Sequence, residues 1–567
     1  MTPTHFTPCW NFVPEDLDGG DLAALERLFK ELEEREIATI DDLEKWLLDE
    51  SELLSRYAAE VARRYIAMTR NTDDPAAKEG YLAIEREVAP RVKILADRLD
   101  HRFLDDPHVE QLDTRRFEVL IRGRRCAREI FREENTALQA QESEIETKQQ
   151  ELMGAMTVSF EGKEHTLQQM APYAEKQDRD LRERAFRASL EERRKTWGPL
   201  YEIYDQLIAL RTKMARNAGF DSYTPYRFKQ LQRFDYTADD CTRFHEAIEK
   251  IVVPAVVRLH DKRKKALGLE ELRPWDLEVD IDGRPPYRPF ETEEELIKLC
   301  RNVFEQVDPR FAAEFDLLRE HDLLDLMSRK GKAPGGYQYG IEDIRLPFIF
   351  TNGVGTHNDV QTLLHEGGHS FHSILCRQEP LVTYRDAPIE FAETASMSME
   401  LMGLEMIGSV YDEENARAER SKHLEGLLGT LTWIASIDAF QHWIYANPDH
   451  DAKARTSTWL SIRTRFSPGL DWSGIEDALE NRWTGQGHLF TSPFYYIEYG
   501  IAQLAALQVW QGYRSHPENA VRSYRQALAL GGCRPLPELF AAAGVKFDLG
   551  EETLAALVAD VEAAIAS

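Results

Sequence analysis

The sequence predicts a mostly α-helical protein with a minor β-sheet near its candidate site. Three observations support this fold class. Apolar residues recur at three- and four-residue spacing over most of the 567 residues. Patterns with a period of two are confined to a few short stretches, and the chain has no internal repeat. A chain of this length is too long for one compact core, so we expect at least two helical lobes.

The N-terminal part is helical in pattern from about residue 21 to residue 154. The stretch LAALERLFKELEER, for example, places its apolar residues on one helix face. The period then changes to two in TVSFEGKEHTL, where the turn residues Glu161, Gly162 and Lys163 separate two short runs. This pattern predicts a small β-hairpin at residues 157–167.

Helical patterns resume at Gln168, and three non-helical stretches interrupt the second half of the chain. ELRPWDLEVDIDGRPPYRPF predicts a connector with a short strand at LEVDI, and RKGKAPGGYQYG predicts a loop. LPFIFTN, at residues 346–352, is apolar and aromatic and predicts a strand. From Asp359 onwards the pattern is again mostly helical.

These elements suggest a division of the chain into two domains. We predict an N-terminal helical lobe at residues 1–190, which includes the hairpin. Residues 191–567 then form the domain that carries the chemistry, with a central helix at residues 359–376.

The composition limits the partners and the compartment. The formal net charge is -29, with 70 Lys and Arg against 99 Asp and Glu, which argues against nucleic-acid and anionic-membrane partners. The N-terminus has no signal-peptide pattern, and no apolar run reaches the length of a membrane span. The six cysteines are scattered without a CxxC pair, as is typical of reduced thiols. We therefore expect a cytoplasmic protein.

The stretch QTLLHEGGHSFHSIL, at residues 361–375, contains the candidate site. His365 and His369 are four residues apart, so on a helix both imidazoles can bind one metal ion, and zinc favours such ligands. Glu366 can bond a metal-bound water and take its proton. Asn358 or Asp359 is the predicted N-cap of this helix.

Three other residues of this stretch need an explanation. Gly367 and Gly368 each cost about 1 kcal/mol of helix stability relative to Ala, which indicates that another backbone or a substrate approaches the helix there. His372 repeats the helix face of His365, and we interpret it as a hydrogen-bonded core histidine. His357 is predicted to lie in the loop before the helix.

A catalytic metal needs a third protein ligand. Two acids follow at suitable distances, Glu390 and Glu393, both in the helical stretch APIEFAETASMSMELM. They are three residues apart and one ion takes only one of them, so the spacing leaves both open. Ser396 and Glu400 lie on the helix face of Glu393, where either can orient a ligand.

HEGGHSFH followed by EFAETASMSMELM resembles the oligoendopeptidase F branch of the thimet-oligopeptidase family of zinc peptidases. RKGKAPGGYQYG, LPFIFTN and THNDVQTLLHE also resemble segments that precede the motif in that family. The resemblance implies that Glu393 is the third ligand of a single Zn²⁺. It also implies two helical lobes that flank a deep substrate channel, with LPFIFTN as an edge strand that pairs with an extended peptide.

A later segment, GHLFTSPFYYIEYGIAQLAALQVW, resembles the His/Tyr segment of the same family. The resemblance implies that His488, Tyr496 and Tyr499 act on the substrate or the reaction intermediate. Imidazole and phenol can donate a hydrogen bond to an oxyanion, and His488 follows a Gly-flanked stretch that predicts a flexible loop. Tyr495 is the alternative to Tyr496, and Tyr337 is a further candidate.

The expected function is zinc-dependent hydrolysis of internal peptide bonds in short, unfolded oligopeptides, by Glu-assisted attack of a zinc-bound water. The alternatives are a zinc carboxypeptidase or aminopeptidase, and a non-catalytic peptide-binding protein with a structural zinc. An intact Glu366, which a structural site does not need, favours the enzyme.

Overall fold

The computed structural model describes residues 8–329, 331–333 and 335–566. They are mostly helical, which confirms the predicted fold class. The α-helices are α1 (Leu22–Glu34), α2 (Ile40–Arg70), α3 (Pro75–Ala83), α4 (Ala89–Leu104), α5 (Thr114–Ile130), α6 (Glu133–Gly154), α7 (Leu167–Ala174), α8 (Arg179–Asn217), α9 (Tyr223–Gln230), α10 (Ala238–Ala247), α11 (Val253–Ala266), α12 (Glu293–Val307), α13 (Pro309–Glu320), α14 (His357–Cys376), α15 (Val382–Arg385), α16 (Ile389–Met406), α17 (Glu413–Ala446), α18 (Ala452–Phe466), α19 (Glu476–Glu480), α20 (Gly487–Thr491), α21 (Tyr496–Ser515), α22 (Pro517–Leu528), α23 (Leu536–Ala542) and α24 (Glu551–Ala566). The strands are β1 (Thr157–Phe160), β2 (Lys163–Thr166), β3 (Leu324–Met327), β4 (Tyr337–Ile341) and β5 (Leu346–Gly353).

The chain forms two compact units, each assembled from separate stretches of sequence. Unit 1 contains the residues up to Glu129, Arg288–Glu419 and Ile501–Phe547, and unit 2 contains Ile130–Tyr287, Arg420–Gly500 and the residues from Asp548 onwards. The predicted boundary between residues 190 and 191 falls inside α8, in unit 2. The two units therefore do not follow that boundary, and a division into domains at residue 190 stays a prediction.

In unit 1, α2 illustrates how the local sequence determines a helix. Thr39 accepts a hydrogen bond from the backbone N–H of Asp42, and the Asp42 carboxylate accepts one from the Thr39 N–H at 3.0 Å. This capping box fixes the first turn. Leu43, Trp46 and Leu47 then form a buried stripe, and the Trp46 ring stacks on Phe103 of α4 at 6.3 Å.

In unit 2, β1 and β2 pair in antiparallel orientation, so the predicted hairpin is confirmed. Glu161 and Gly162 both have positive φ angles, 50° and 76°, as the two central residues of a type I′ turn require. The strand predicted at LEVDI is wrong. In that stretch the Arg263 side chain donates a hydrogen bond to the carbonyl of Val279 at 2.6 Å. This backbone carbonyl is therefore bonded to a side chain and not to the backbone of a neighbouring strand.

The sheet of unit 1 has the strand order β3-β5-β4. The strand at LPFIFTN is confirmed as β5, but its predicted edge position is wrong because β5 pairs with β3 on one side and β4 on the other. Nearly every residue of β5 is buried, which explains its continuous apolar run. Strand β4 lies at an edge of this sheet, in the stretch whose composition predicted a loop.

Helix α14 begins directly after β5. Its N-cap is Thr356 rather than Asn358 or Asp359, and Asp359 closes a capping box as the third residue of the helix. The Asp359 carboxylate also accepts the backbone N–H of Val354 at 2.9 Å, which fixes the turn between strand and helix. His357, predicted to lie in the loop, is the first residue of α14, where its Nδ1 contacts the Tyr411 hydroxyl at 2.9 Å.

None of the helices within the described residues is both long enough and apolar enough to cross a membrane. The six cysteines, all within the described residues, form no disulfide bond, and five of them are buried.

Candidate metal centre and active site

Helices α14 and α16 pack against each other at Gly368. A Cβ at this position would lie 2.5 Å from the Ser396 Cα and 2.7 Å from the Ala395 carbonyl oxygen. At Gly367 a Cβ would lie 2.5 Å from the ring of Phe304. The expected close approach of a second backbone is therefore confirmed at Gly368, and Gly367 makes room for a core ring.

This close packing brings three candidate ligand atoms together. The Nε2 atoms of His365 and His369 are 3.2 Å apart. The Glu393 Oε2 lies 3.4 Å from the Nε2 of His365 and 3.7 Å from that of His369. Ligand atoms bound at 2.0–2.1 Å to a tetrahedral zinc lie about 3.3 Å apart, so this triangle has the size of a zinc site.

Neighbouring groups orient these ligands. The Nδ1 of His365 donates to the Glu400 carboxylate at 2.6 Å, and the Ala392 carbonyl accepts a hydrogen bond from His369. The Ser396 hydroxyl donates to Glu393 Oε2 at 3.2 Å. Because the N–H of His365 is directed to Glu400, its Nε2 lone pair faces the triangle.

The electrostatics of the triangle call for a positive charge. Two imidazole nitrogens and a carboxylate oxygen face one another, an arrangement that repels unless a proton or a cation lies between them. Burial lowers the pKa of His365, but the hydrogen bond and charge of Glu400 outweigh burial and raise that pKa to about 10. Burial lowers the pKa of His369 to about 4. The residues therefore fit a bound cation.

Of the two acids that the spacing left open, Glu393 is the one that lies at the histidines. The group that could hold a metal ion consists of His365, His369 and Glu393. Glu390 is buried one helical turn earlier on α16 and is not part of this group.

Glu366 lies beside the ligands without belonging to the triangle. Burial raises the pKa of its carboxyl group to about 7, and the neighbouring His365 opposes this rise. The backbone N–H of Gln338, in β4, donates to this carboxylate. A Cβ on Gly336 would lie 3.7 Å from the Glu366 Oε1. Glu366 therefore faces the start of an outer strand, with a pKa suited to proton transfer near neutral pH.

His372 is a core histidine whose Nε2 forms no hydrogen bond with the described residues. Its ring packs edge-on against Phe391 at 5.6 Å, and burial lowers its pKa to about 3. Within the described part of the chain, the Nε2 has no hydrogen-bond partner. The prediction of a core position is confirmed, and the predicted hydrogen bond is not formed at Nε2 among the described residues.

The predicted His/Tyr group lies in unit 2, and its rings contact one another. The His488 ring lies 5.3 Å from Tyr496 and 6.1 Å from Tyr499, whose rings are 5.6 Å apart. Tyr495 joins the cluster at 5.4 Å from His488. His488 belongs to α20 rather than to a flexible loop, and its Nδ1 contacts the Gln486 side chain at 3.0 Å.

The backbone before the tyrosines contains a feature without a sequence signal. Phe494 has a φ of 67°, a conformation that costs a bulky residue on the order of 1–3 kcal/mol. The Gln441 side chain accepts its N–H at 2.9 Å, and Arg233 donates to its carbonyl. These bonds hold the turn that presents Tyr495 and Tyr496. The other candidate donor, Tyr337, lies in unit 1, where its hydroxyl contacts Thr69 at 2.6 Å.

Comparisons with known proteins agree with the fold and the motif. The model of peptidase family M3 matches residues 172–559. A crystal structure assigned as an oligoendopeptidase F has a TM-score of 0.91 and 29% identity, with 99% of each chain covered. PZ peptidase A, solved with an inhibitor, has a TM-score of 0.91 and 28% identity over 98% of this chain and 99% of that one.

Fold, motif and matches together define the class of the protein as a peptidase. The chain belongs to peptidase family M3. The predicted resemblance to oligoendopeptidase F is confirmed.

Curated relatives match over shorter stretches. Group B oligopeptidase PepB of Streptococcus agalactiae is 28% identical over 215 residues, which is 37% of this chain and 34% of the relative. Oligopeptidase PepF of Bacillus subtilis is 24% identical over 300 residues, which is 52% of this chain and 44% of the relative. The matched stretches thus span between a third and a half of these relatives.

Proposed function

We propose that the protein is a zinc-dependent endopeptidase that hydrolyses internal bonds of short, unfolded oligopeptides. The observation that carries this proposal is the triangle formed by His365, His369 and Glu393, with Glu366 beside it. Membership of peptidase family M3 supports the reaction class, and curated relatives named as oligopeptidases support the substrate class.

His365, His369 and Glu393 would hold the zinc ion through two nitrogens and one oxygen. Bound there, zinc supplies a Lewis acid that acidifies water and polarises a carbonyl. Glu400 and Ser396 keep the ligands in place. Glu400 accepts the Nδ1–H of His365 on the side away from the triangle, and the Ser396 hydroxyl donates to Oε2 of Glu393, the oxygen that belongs to the triangle.

Glu366 acts as the base and then as the acid. Its carboxylate takes a proton from the water that attacks the scissile carbonyl, and passes the proton to the leaving amine. The raised pKa of Glu366, about 7, suits both steps because the group can gain and lose a proton near neutral pH. The Gln338 N–H donates a hydrogen bond to this carboxylate and holds it beside the proposed zinc ligands.

The outer edge of β4 is the proposed docking strand for the substrate backbone. The resemblance implied such an edge for β5, but β5 is paired on both sides. Strand β4 pairs with β5 on one side, and the backbone of its residue Gln338 reaches Glu366. A peptide added to this edge would form main-chain hydrogen bonds next to the base.

His488, Tyr496 and Tyr499 are the proposed donors to the oxyanion of the tetrahedral intermediate. Their rings form one cluster, and phenol or imidazole donors placed at a developing oxyanion are worth several kcal/mol. Burial raises the pKa of Tyr496, so its hydroxyl keeps its proton and can donate. Tyr495 is the alternative donor.

The proposal also includes the setting of the reaction. The excess of acidic residues supports an absence of nucleic-acid and anionic-membrane partners, and the lack of disulfide bonds among the described cysteines supports a cytoplasmic location. The predicted channel between two lobes remains part of the proposal. It would limit substrates to peptides of roughly 5–20 residues and exclude folded proteins.

One experiment tests the reaction and its closest alternatives. The protein is incubated with a mixed peptide library, with and without a chelator, and the products are sequenced by mass spectrometry. We expect internal cleavage that the chelator abolishes and added zinc restores. Release of single terminal residues would instead identify an exopeptidase. Binding without cleavage would identify a peptide-binding protein with a structural zinc.

A further inference from the structure

A second cluster of metal-ligating side chains lies in unit 2. Helix α10 carries Cys241 and His245, and α17 carries Asp438 and His442, so each helix presents a pair four residues apart on one face. The potential ligand atoms of Cys241, Asp438 and His442 all lie within 4.8 Å of one another. This thiol, carboxylate and imidazole are buried or nearly so in the protein interior.

Two polar atoms of this cluster lack hydrogen-bond partners among the described residues, namely Asp438 Oδ1 and His442 Nε2. The Asp438 side chain is fully buried, and its other oxygen, Oδ2, contacts His245 Nε2 at 2.8 Å. The His442 Nε2 lies 3.4 Å from that same Oδ2. Unsatisfied buried groups of this kind cost about 1–3 kcal/mol each, so two of them in a cluster that also contains a thiol call for a missing partner.

The donor set suits zinc. Thiolate sulfur, imidazole nitrogen and carboxylate oxygen are the ligands that Zn²⁺ takes in proteins, and the thiolate and carboxylate together balance its two charges. The thiol proton of Cys241 leaves to solvent when the ion binds. The nearby guanidinium of Arg233 does not oppose this balance, because Arg233 pairs with Glu498 at 2.8 Å.

Aromatic rings enclose the cluster. Phe494 and Phe228 lie 5.0 Å and 6.1 Å from the His442 ring, and Phe466 lies 6.5 Å from the His245 ring. The side chain of His442 is 18% exposed, which provides a path for an ion to enter. The acid next to Cys241, Asp240, accepts hydrogen bonds from the Thr237 hydroxyl and from Arg243. Such surroundings suit a structural ion rather than a catalytic one.

We propose that Cys241, Asp438 and His442 bind a second zinc ion with a structural role. His245 holds Asp438 Oδ2, which leaves Oδ1 to face the ion. The ion joins α10 to α17 inside unit 2 and satisfies both unpartnered atoms. This proposal does not depend on the proposed peptidase mechanism, because the two sites share no residue.

Cobalt distinguishes the two sites. A thiolate bound to Co²⁺ gives a charge-transfer band in the near ultraviolet, and the first site has no cysteine. Zinc is removed from the variant H365A/H369A, which lacks the first site, and Co²⁺ is added. We expect the charge-transfer band with one cobalt per chain. The additional substitution C241S should abolish the band, whereas C300S, at a buried cysteine of unit 1, should leave it unchanged.

Metal content provides the second readout. By elemental analysis of the zinc-saturated, gel-filtered protein, we expect two zinc ions per chain in the wild type. We expect one each in C241S, D438N and H442Q, with circular dichroism as the check on folding. A wild-type zinc content that C241S retains in full, or a cobalt band that persists in C241S, would overturn the proposal. Three independent substitutions keep the test valid if any one of them fails to fold.

Discussion

The clusters of unit 1 and unit 2 use the same construction in different surroundings. Both place ligands on two packed helices, and both use pairs of residues four apart. In unit 1 the two histidines remain partly exposed, at 23% and 17%, and Glu366 stands beside them near an outer strand. In unit 2 Cys241 and Asp438 are fully buried, His442 is 18% exposed, and aromatic rings occupy the surroundings. Ligand spacing therefore indicates a metal, whereas an acid beside the ligands that can exchange a proton near neutral pH indicates chemistry.

The comparison is sharpest at Glu366, because the acid next to Cys241 in unit 2, Asp240, is bound to Thr237 and Arg243 instead. The substitution E366Q keeps the size and hydrogen bonding of the side chain but removes its basicity. We expect kcat to fall by on the order of 10²–10⁴, with zinc content near wild type. Steady-state kinetics and elemental analysis provide the measurements, and E390Q, at a buried acid outside the ligand group, is the matched control. Near-wild-type turnover in E366Q would exclude Glu366 from the mechanism.

The next largest effect tests whether the His/Tyr cluster of unit 2 contributes to the reaction, in addition to the structural ion that we propose for that unit. The substitution Y496F removes a hydroxyl and keeps the ring, so packing should survive. We expect kcat and kcat/KM to fall together by about 10²–10³, the usual cost of one lost oxyanion donor. Zinc content and Tm should stay unchanged.

The same kinetics on Y499F and H488A should move in the same direction, with H488A acting more on KM. If Y496F and Y499F both keep full kcat, these tyrosines are core aromatics. The donor must then be sought at Tyr495 and Tyr337.

The third ligand can be tested by a pair of matched variants on α16. E393A removes an oxygen of the triangle and should lower zinc affinity by on the order of 10² or more, with a parallel loss of activity. E390A removes a buried acid of the same helix and should change zinc affinity little. Competition with a chromophoric chelator measures both. The reverse order would mean that Glu390 is the ligand, one helical turn away.

The smallest effect concerns the orientation of His365. E400Q keeps a hydrogen-bond acceptor for the Nδ1 but removes the negative charge that makes the imidazole a better ligand. We expect zinc affinity to fall by roughly tenfold, the low end for loss of such a partner. The same titration in S396A should give a smaller change. Unchanged affinity in E400Q would assign Glu400 a role in packing only.

The part of the site that the sequence predicted is the part whose residues are close together along the chain. His365, Glu366 and His369 form one local pattern, and Gly368 signalled a close helix contact because a helix-breaking residue needs a reason. Glu393 followed from the family resemblance, while the spacing alone left Glu390 open. The helical fold class followed in the same way from local periodicity.

The remainder depends on tertiary contacts that no local pattern encodes. Cys241 and His245 lie nearly two hundred residues before Asp438 and His442, so their association was not visible in the sequence. The strand β4 forms in a Gly-rich stretch because β5 offers it a partner, and β5 is central because it is apolar on both faces. The left-handed backbone of Phe494 persists only because Gln441 and Arg233 hold it.

The contact at Gly368 has a genetic consequence. Every base change in the first two positions of a glycine codon introduces a side chain or a stop signal, and any side chain begins with the Cβ that would meet the Ser396 backbone at 2.5 Å. Backbone atoms on both sides leave no flexible group to yield, so each such mutation must separate the helix of His365 and His369 from the helix of Glu393. Every single-base mutation that changes the amino acid at position 368 is therefore expected to be harmful. In a library of single-base mutants selected for peptidase activity, only its synonymous codons should survive.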